Sequence, residues 1–351
     1  VGWLLAGAVG GVAAQSQSQV TLTVSVVDQS DASIGGATVL VSWDGGERTA
    51  TTASNGRAFV DVPEGEDVEL DIDHEEYIRN HPLEVDDATE QDVTLDVSEK
   101  GRSTVRVTNG DGGALADARI EFRRDGRTAV SGQTGDNGGF STGVIEQGQY
   151  EVSVVKPGYF RVARTERVGR LTPKEFTLER GTVPLEVRVT DDHFTPSRPV
   201  EDVRVSVSAD NFDASVRTSG GTASLSVPVN TRYNVTTSKE DYVSTSRLVS
   251  IDESGRQINT TVQRVATLTV EPQNNRVVVG ETTQVRVLNA YGETVEGATV
   301  SKNGEEVGET DASGELVVTI ESAGDQELVA TNGDIESSGQ IIEGVESGSQ
   351  M

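Results

Sequence analysis

A four-residue run recurs four times along the chain and constrains its fold more than any other feature. Apolar, any residue, small or acidic, then Ala or Val appears as Ile34-Gly35-Gly36-Ala37, Leu115-Ala116-Asp117-Ala118, Val200-Glu201-Asp202-Val203 and Val295-Glu296-Gly297-Ala298. The separations are 81, 85 and 95 residues. Each run leads into alternating apolar residues, a turn rich in Thr and Gly, and a second alternating run. A chain of 351 residues is too long for one small sandwich and suits several domains of about 100 residues each. The repeat sets the number at four.

Alternation identifies the repeating unit as a sheet. Val20, Leu22, Val24 and Val26 fall on one face of a strand, as do Val183, Leu185, Val187 and Val189. Polar residues between them give each sheet one dry and one wet face, the pattern of antiparallel sandwiches. No 12-residue amphipathic helix is present. Hairpin turns are expected at Asp44-Gly45-Gly46, Asn55-Gly56, Asn109-Gly110, Asp125-Gly126, Asn137-Gly138, Asn303-Gly304 and Ser313-Gly314, because these residues tolerate positive φ. The expected fold class is all-β, with four tandem antiparallel β-sandwiches spanning 20–99, 100–180, 181–264 and 265–345. Residues 1–19 form a leader remnant and linker, and 346–351 a polar tail. The joints near Lys100, Gly181 and Val265 are short, which restricts bending and predicts an elongated array.

Net charge is −28, from 57 Asp and Glu against 29 Lys and Arg. The carboxylates are spread over all four repeats, and only five basic residues are Lys. Such self-repulsion destabilises a compact state at low ionic strength and is screened in molar salt. The composition resembles that of proteins from extremely halophilic archaea. It also excludes nucleic acid, whose binding needs basic surface. The chain has no Cys, so no disulfide staples the domains.

The stretch Val1 to Ala14 is uncharged and too short to span a bilayer, which needs ~20 residues. It suits the apolar part of a signal peptide cleaved before Gln15. Membrane anchoring would need a segment that the sequence does not convincingly contain.

The second repeat carries Ala118-Arg119-Ile120, then Thr134-Gly135-Asp136-Asn137-Gly138-Gly139-Phe140, Gly148-Gln149-Tyr150-Glu151-Val152 and Pro157-Gly158-Tyr159. This resembles the carboxypeptidase regulatory-like (transthyretin-like) domain, a seven-stranded sandwich. Repeats one and three keep the skeleton. Tyr150 to Tyr159 spans nine residues, as do Val68 to Tyr77 and Tyr233 to Tyr242. Nine is odd, so a bulge or turn must intervene if both rings enter one core. Tyr159 and Tyr242 are expected to be largely buried. The fourth repeat lacks the second Tyr, and its lead-in Val277 to Val285 resembles bacterial Ig-like domains of adhesins. The resemblance covers residues 20–345. It fixes a fold family and not a function; four β-domains in series without a catalytic motif are expected to form a non-catalytic, extracellular stalk, cell-wall component or adhesin whose partners are envelope or surface proteins or glycans. An array of glycan- or protein-binding modules, or the accessory region of a larger secreted hydrolase, are the other readings.

No catalytic, cofactor-binding or metal residues are expected. His74, His81 and His193 are the only histidines, and none lies in H-E-x-x-H. There is no G-x-S-x-G, no P-loop and no G-x-G-x-x-G. Asp28, Asp31, Asp111, Asp136 and Asp311 fall in turns where hard carboxylate oxygens could meet Ca²⁺, but no stretch matches a calcium loop. The sequons Asn234-Val235-Thr236 and Asn259-Thr260-Thr261 make Asn234 and Asn259 candidate glycosylation sites.

Overall fold

A computed structural model describes residues 18–347. The proposed leader at Val1 to Ala14 lies outside them. The described chain is all-β. It divides into two compact units, residues 18–183 with 228–231 and residues 184–227 with 232–347.

In the first sandwich, Arg57–Pro63, Gln19–Asp28 and Gln91–Gly101 form one sheet. Gly46–Thr51, Thr38–Trp43, Val68–Asp73 and Leu83–Val85 form the other. Alternation works as the sequence implies: Leu22, Val24 and Val26 are all 0% exposed and face Val39, Val41 and Leu70 across a dry core. The second sandwich repeats this plan. Gly139–Ser141, Ser103–Asn109 and Thr172–Leu178 oppose Arg127–Gln133, Arg119–Arg124, Gly148–Val155 and Val162–Val168. The third does so with Thr222–Pro228, Thr182–Asp191 and Arg256–Val262 against Phe212–Arg217, Arg204–Ala209, Thr231–Ser238 and Thr245–Ile251. Each of these three sandwiches contains a parallel pairing. The closing strand runs parallel to the opening strand, as in Leu22↔Gln91, Thr172↔Ser103 and Leu185↔Arg256.

The fourth sandwich differs. Thr282–Asn289 takes the opening position between Glu315–Thr319 and an antiparallel Leu268–Pro272. Its closing strand Gln340–Val345 lies in the other sheet, parallel to Arg276–Val278. The extra lead-in strand occupies the place that the closing strand fills in the other repeats.

The recurring four-residue run has one physical cause. Its third residue adopts a left-handed conformation in every copy: Gly36 (φ 80°), Asp117 (54°), Asp202 (57°) and Gly297 (71°). Only Gly, Asn and Asp visit that region readily. A buried threonine closes the loop each time: Thr52, Thr134, Thr218 and Thr310, all between 3% and 5% exposed. Its Oγ1 donates to the carbonyl of the first residue of the run at 2.6–2.8 Å. It accepts from the N–H of the fourth at 2.9–3.0 Å. Thr134→Val keeps the shape but orphans the Ala118 N–H and the Leu115 carbonyl. The expected loss is about 1–3 kcal/mol, read as an earlier urea transition of the second sandwich and faster hydrogen exchange at the Ala118 amide. Thr134→Ser should retain most of both, and a Thr134→Val protein that unfolds with the wild type would rule the bridge out.

Turn chemistry holds at Asp125-Gly126 and Asn303-Gly304, where both residues have positive φ. At Asn109-Gly110 the expectation fails, because the positive φ falls on Gly112 (81°) instead. Asn109 caps a longer loop, its Oδ1 accepting from the N–H groups of Asp111 (3.0 Å) and Gly113 (2.7 Å). Asp28 and Asn289 do the same at matching positions.

Tyr150 and Tyr233 are 1% and 0% exposed and meet Phe122 and Phe212 edge-on. A turn does intervene before the second tyrosine: Tyr159 N–H reaches the Lys156 carbonyl and Tyr242 N–H that of Lys239. Tyr159 is buried, at 7% exposed, but Tyr242 is only half-buried. The turn puts each tyrosine at the end of its sandwich, where its backbone forms an isolated antiparallel bridge with Arg180 or Arg264 just beyond the closing strand. Each of these rings lies beneath a guanidinium 5.7 Å away; the one over Tyr242, from Arg264, also lies over Tyr291 of the fourth repeat, so Tyr242 is a joint residue more than a core residue.

Candidate functional site: the joints between sandwiches

Polar and aromatic side chains join one sandwich to the next. In the first unit, Ile145–Glu146 of the second repeat pairs antiparallel with Gly101 and Lys100 at the end of the first. Glu146 is the centre of this joint. Its carboxylate accepts from Asn80 N–H (2.8 Å), Arg124 Nη1 (2.6 Å) and Ser98 Oγ (3.3 Å). Its own N–H donates to Asn80 Oδ1 at 3.0 Å. Asn80 Nδ2 donates to the Tyr150 hydroxyl, which donates to the Glu146 carbonyl, both at 2.8 Å. Burial pushes the Tyr150 phenol up, opposed by hydrogen bonds from Asn80 and Arg124. The adjacent Gln147 adds a backbone bond to Glu99 and side-chain bonds to Glu99 and Lys100. The same unit contains Pro228–Thr231, the loop that precedes the tyrosine strand of the third repeat. Here Val229 pairs with Gly158 and Gly181, and Asn230 Nδ2 donates to the Tyr159 carbonyl at 2.8 Å.

The second unit uses an aromatic joint. The His193 ring stacks on Tyr291 with centroids 3.6 Å apart and planes 6° from parallel, and Phe194 meets both edge-on. Arg264 donates its backbone N–H to the Tyr291 hydroxyl at 2.8 Å. Its guanidinium lies over both Tyr242 and Tyr291. The Tyr291 hydroxyl in turn donates to Asp191 Oδ1 at 3.1 Å. Asp191 is 1% exposed and caps the His193 N–H. Burial, and then the facing Asp191, raise the Tyr291 phenol. Hydrogen bonds from Asn289 and then His193 hold Glu293 below the usual carboxylate range.

The asparagines of both sequons are exposed. Asn234 lies on the outer face of Thr231–Ser238, its Oδ1 accepting from Ser246 Oγ at 2.7 Å, and Asn259 lies on Arg256–Val262. Each shares a face with its own threonine two residues on. The histidines do not converge: His74 Nδ1 caps the N–H groups of Glu76 and Tyr77, and His193 serves the joint. Asp28 and Asp311 spend a carboxylate oxygen on turn N–H groups. Among the described residues no three His, Asp or Glu side chains form a metal-holding group, and no helix is long and apolar enough to cross a membrane.

Sequence reasoning missed Asn80, Glu146, Asp191 and Tyr291. Asn80 and Glu146 are 66 residues apart, and Asp191 and Tyr291 are 100. Such pairs carry no local motif.

No family model matches the chain, and neither does any curated protein. Among solved structures it is similar to the Bacillus anthracis TIE protein, at 15% identity over 70% of this chain and 51% of that one, TM-score 0.30. It is also similar to a streptococcal ancillary pilin (10% identity, 70% and 99%, TM-score 0.25) and to GBS52, the minor pilin of Streptococcus agalactiae (11%, 48% and 97%, TM-score 0.24). The chain spans about half the length of the TIE protein. The fold stated above rests on the strand pairing itself.

Proposed function

We propose that this chain is a non-enzymatic structural or adhesive component of a cell surface, in which tandem sandwiches act as a spacer and its partners are envelope or surface proteins or glycans. The supporting observation is the joint chemistry. Glu146, Asn80 and Tyr150 in one unit, and Asp191, Tyr291 and Arg264 in the other, fasten one sandwich to the next. A spacer needs fixed joints, because a flexible string does not hold its ends apart. A halophilic archaeal source belongs to the same reading and is supported by the −28 charge and the scarcity of Lys. Glycans at Asn234 and Asn259 fit it as well, and mass spectrometry of the protein from its native host would read their occupancy.

Solution scattering tests the spacer. A globule of this length has a radius of gyration of roughly 20 Å. An extended array should exceed that clearly, and a double variant Glu146→Ala, Asn80→Ala should broaden the distribution of end-to-end distances. A compact envelope for the wild type would refute the spacer.

A further inference from the structure

Charge is segregated along the chain. Residues 100–180 carry 14 of the 29 Lys and Arg and 10 of the 57 Asp and Glu, a net charge of +4 in a chain of −28. Residues 1–99 carry 3 basic and 20 acidic residues, net −17. The two blocks correspond to neighbouring sandwiches of one unit.

Strand alternation sorts these charges onto faces. Ile120 and Phe122 are buried, so Arg119 and Arg123 point outward, and Arg167, which pairs with the exposed Gln149, joins them. Two carboxylates share this face. Glu121 lies 3.9 Å from Arg123, and Glu151 lies 3.8 Å from Arg161. Arg119 and Arg167 have no ion-pair partner among the described residues.

The matching sheet of the first sandwich is the opposite in sign. Val68, Leu70 and Ile72 are buried, which turns Glu69, Asp71 and Asp73 outward. Glu84 stands opposite Glu69 in the next strand. Leu40, 39% exposed, lies opposite Asp71. The outward positions of Thr38–Trp43, Val68–Asp73 and Leu83–Val85 contain no basic residue. The two faces adjoin, since Arg127, at the start of the edge strand Arg127–Gln133 of the arginine sheet, lies 3.9 Å from Glu84.

We propose that this chain pairs with a second copy of itself, the arginine face of the second sandwich lying on the carboxylate face of the other copy's first sandwich. Adjoining faces of opposite sign are self-complementary under a two-fold axis, so both contacts form at once and the pair closes. A face of four strands six residues long measures about 19 Å by about 20 Å. Two such faces per copy bury about 760 Å², close to the ~800 Å² per partner of a stable interface. Arginine suits the contact because its planar fork binds carboxylates with two hydrogen bonds. A free polyanion would meet the arginine face but would be repelled by the adjoining −17 sandwich. A second copy presents each face with its complement.

Sedimentation velocity on the full chain tests this in any salt that keeps it folded. The wild type is expected to form a dimer. Arg119→Glu, Arg123→Glu, Arg167→Glu together, or Glu69→Lys, Asp71→Lys, Asp73→Lys together, should each weaken it by about tenfold or more. Mixing the two variants should restore a one-to-one pair, because each face again meets its opposite. Circular dichroism confirms that each variant folds, and if a reversal does not, Arg119→Gln with Arg167→Gln gives the milder loss. A monomeric wild type at all concentrations, reversal variants that still pair, or folded variants that ignore each other would overturn the proposal. So would a wild type that stays monomeric while its arginine face binds dextran sulfate.

Discussion

Tyr150→Ala is expected to cost the second sandwich about 3–5 kcal/mol, the range for truncating a large buried aromatic, and to loosen its joint with the first. The ring is 1% exposed and packs edge-on against Phe122, so its removal leaves a cavity in a core whose other buried aromatics are Phe122, Tyr159 and Phe176. The hydroxyl does separate work. It accepts from Asn80 and donates to the Glu146 carbonyl, tying two repeats together. Tyr150→Phe isolates that second role. It keeps the packing, breaks both hydrogen bonds, and should cost about 0.5–1.5 kcal/mol. Urea unfolding followed by hydrogen exchange resolves the two. Tyr150→Ala should deprotect the second sandwich throughout, whereas Tyr150→Phe should deprotect chiefly Asn80, Glu146 and Gln147. Equal effects of the two substitutions would place the energy in the joint, and a Tyr150→Ala loss below about half a kcal/mol would contradict the core assignment.

The split between ring and hydroxyl marks what was legible in the sequence. Period-2 patterning predicts the strands because burial of Leu22, Val24 and Val26 is a local consequence of pleating. The recurring run is legible for the same reason: a left-handed residue followed by a buried Ala or Val leaves a local trace at Gly36, Asp117, Asp202 and Gly297. The joints are not legible. Glu146 looks like any other acid among 57 until the fold brings Asn80, Ser98 and Arg124 around it. Tyr242 shows the limit most clearly. It holds the same spacing as Tyr159, yet it sits half-buried, beneath an arginine that also covers Tyr291 of the next repeat. Spacing identifies equivalent positions but does not show that one is core and the other a joint.

Lowering NaCl from molar to near-physiological concentration is expected to unfold the chain unevenly, the first and fourth sandwiches before the second. Their blocks carry net −17 over residues 1–99 and −13 over residues 265–351, against +4 over residues 100–180. Outward residues on one strand repeat every ~6.7 Å, so Glu69, Asp71 and Asp73 stand in a row at that spacing. The Debye length is ~8 Å at physiological salt and ~3 Å at 1 M. The row therefore repels itself in the first condition and is screened in the second. Glu84 opposite Glu69 adds a cross-strand repulsion, of the order of 0.2–1 kcal/mol per like-charged pair. Summed over an acidic sandwich, a few such pairs should lower its thermal midpoint by more than about 10 °C. Trp43 is half-buried against the first core and reports that sandwich alone once Trp3 is replaced by Phe. In dilute solution its emission should shift to the red at a higher salt concentration than the one at which amide protection in Gly148–Val155 is lost. Coincident transitions would mean that salt acts on the chain as a whole rather than through these carboxylate rows. A midpoint that stays flat across the salt range would remove the support for a halophilic source.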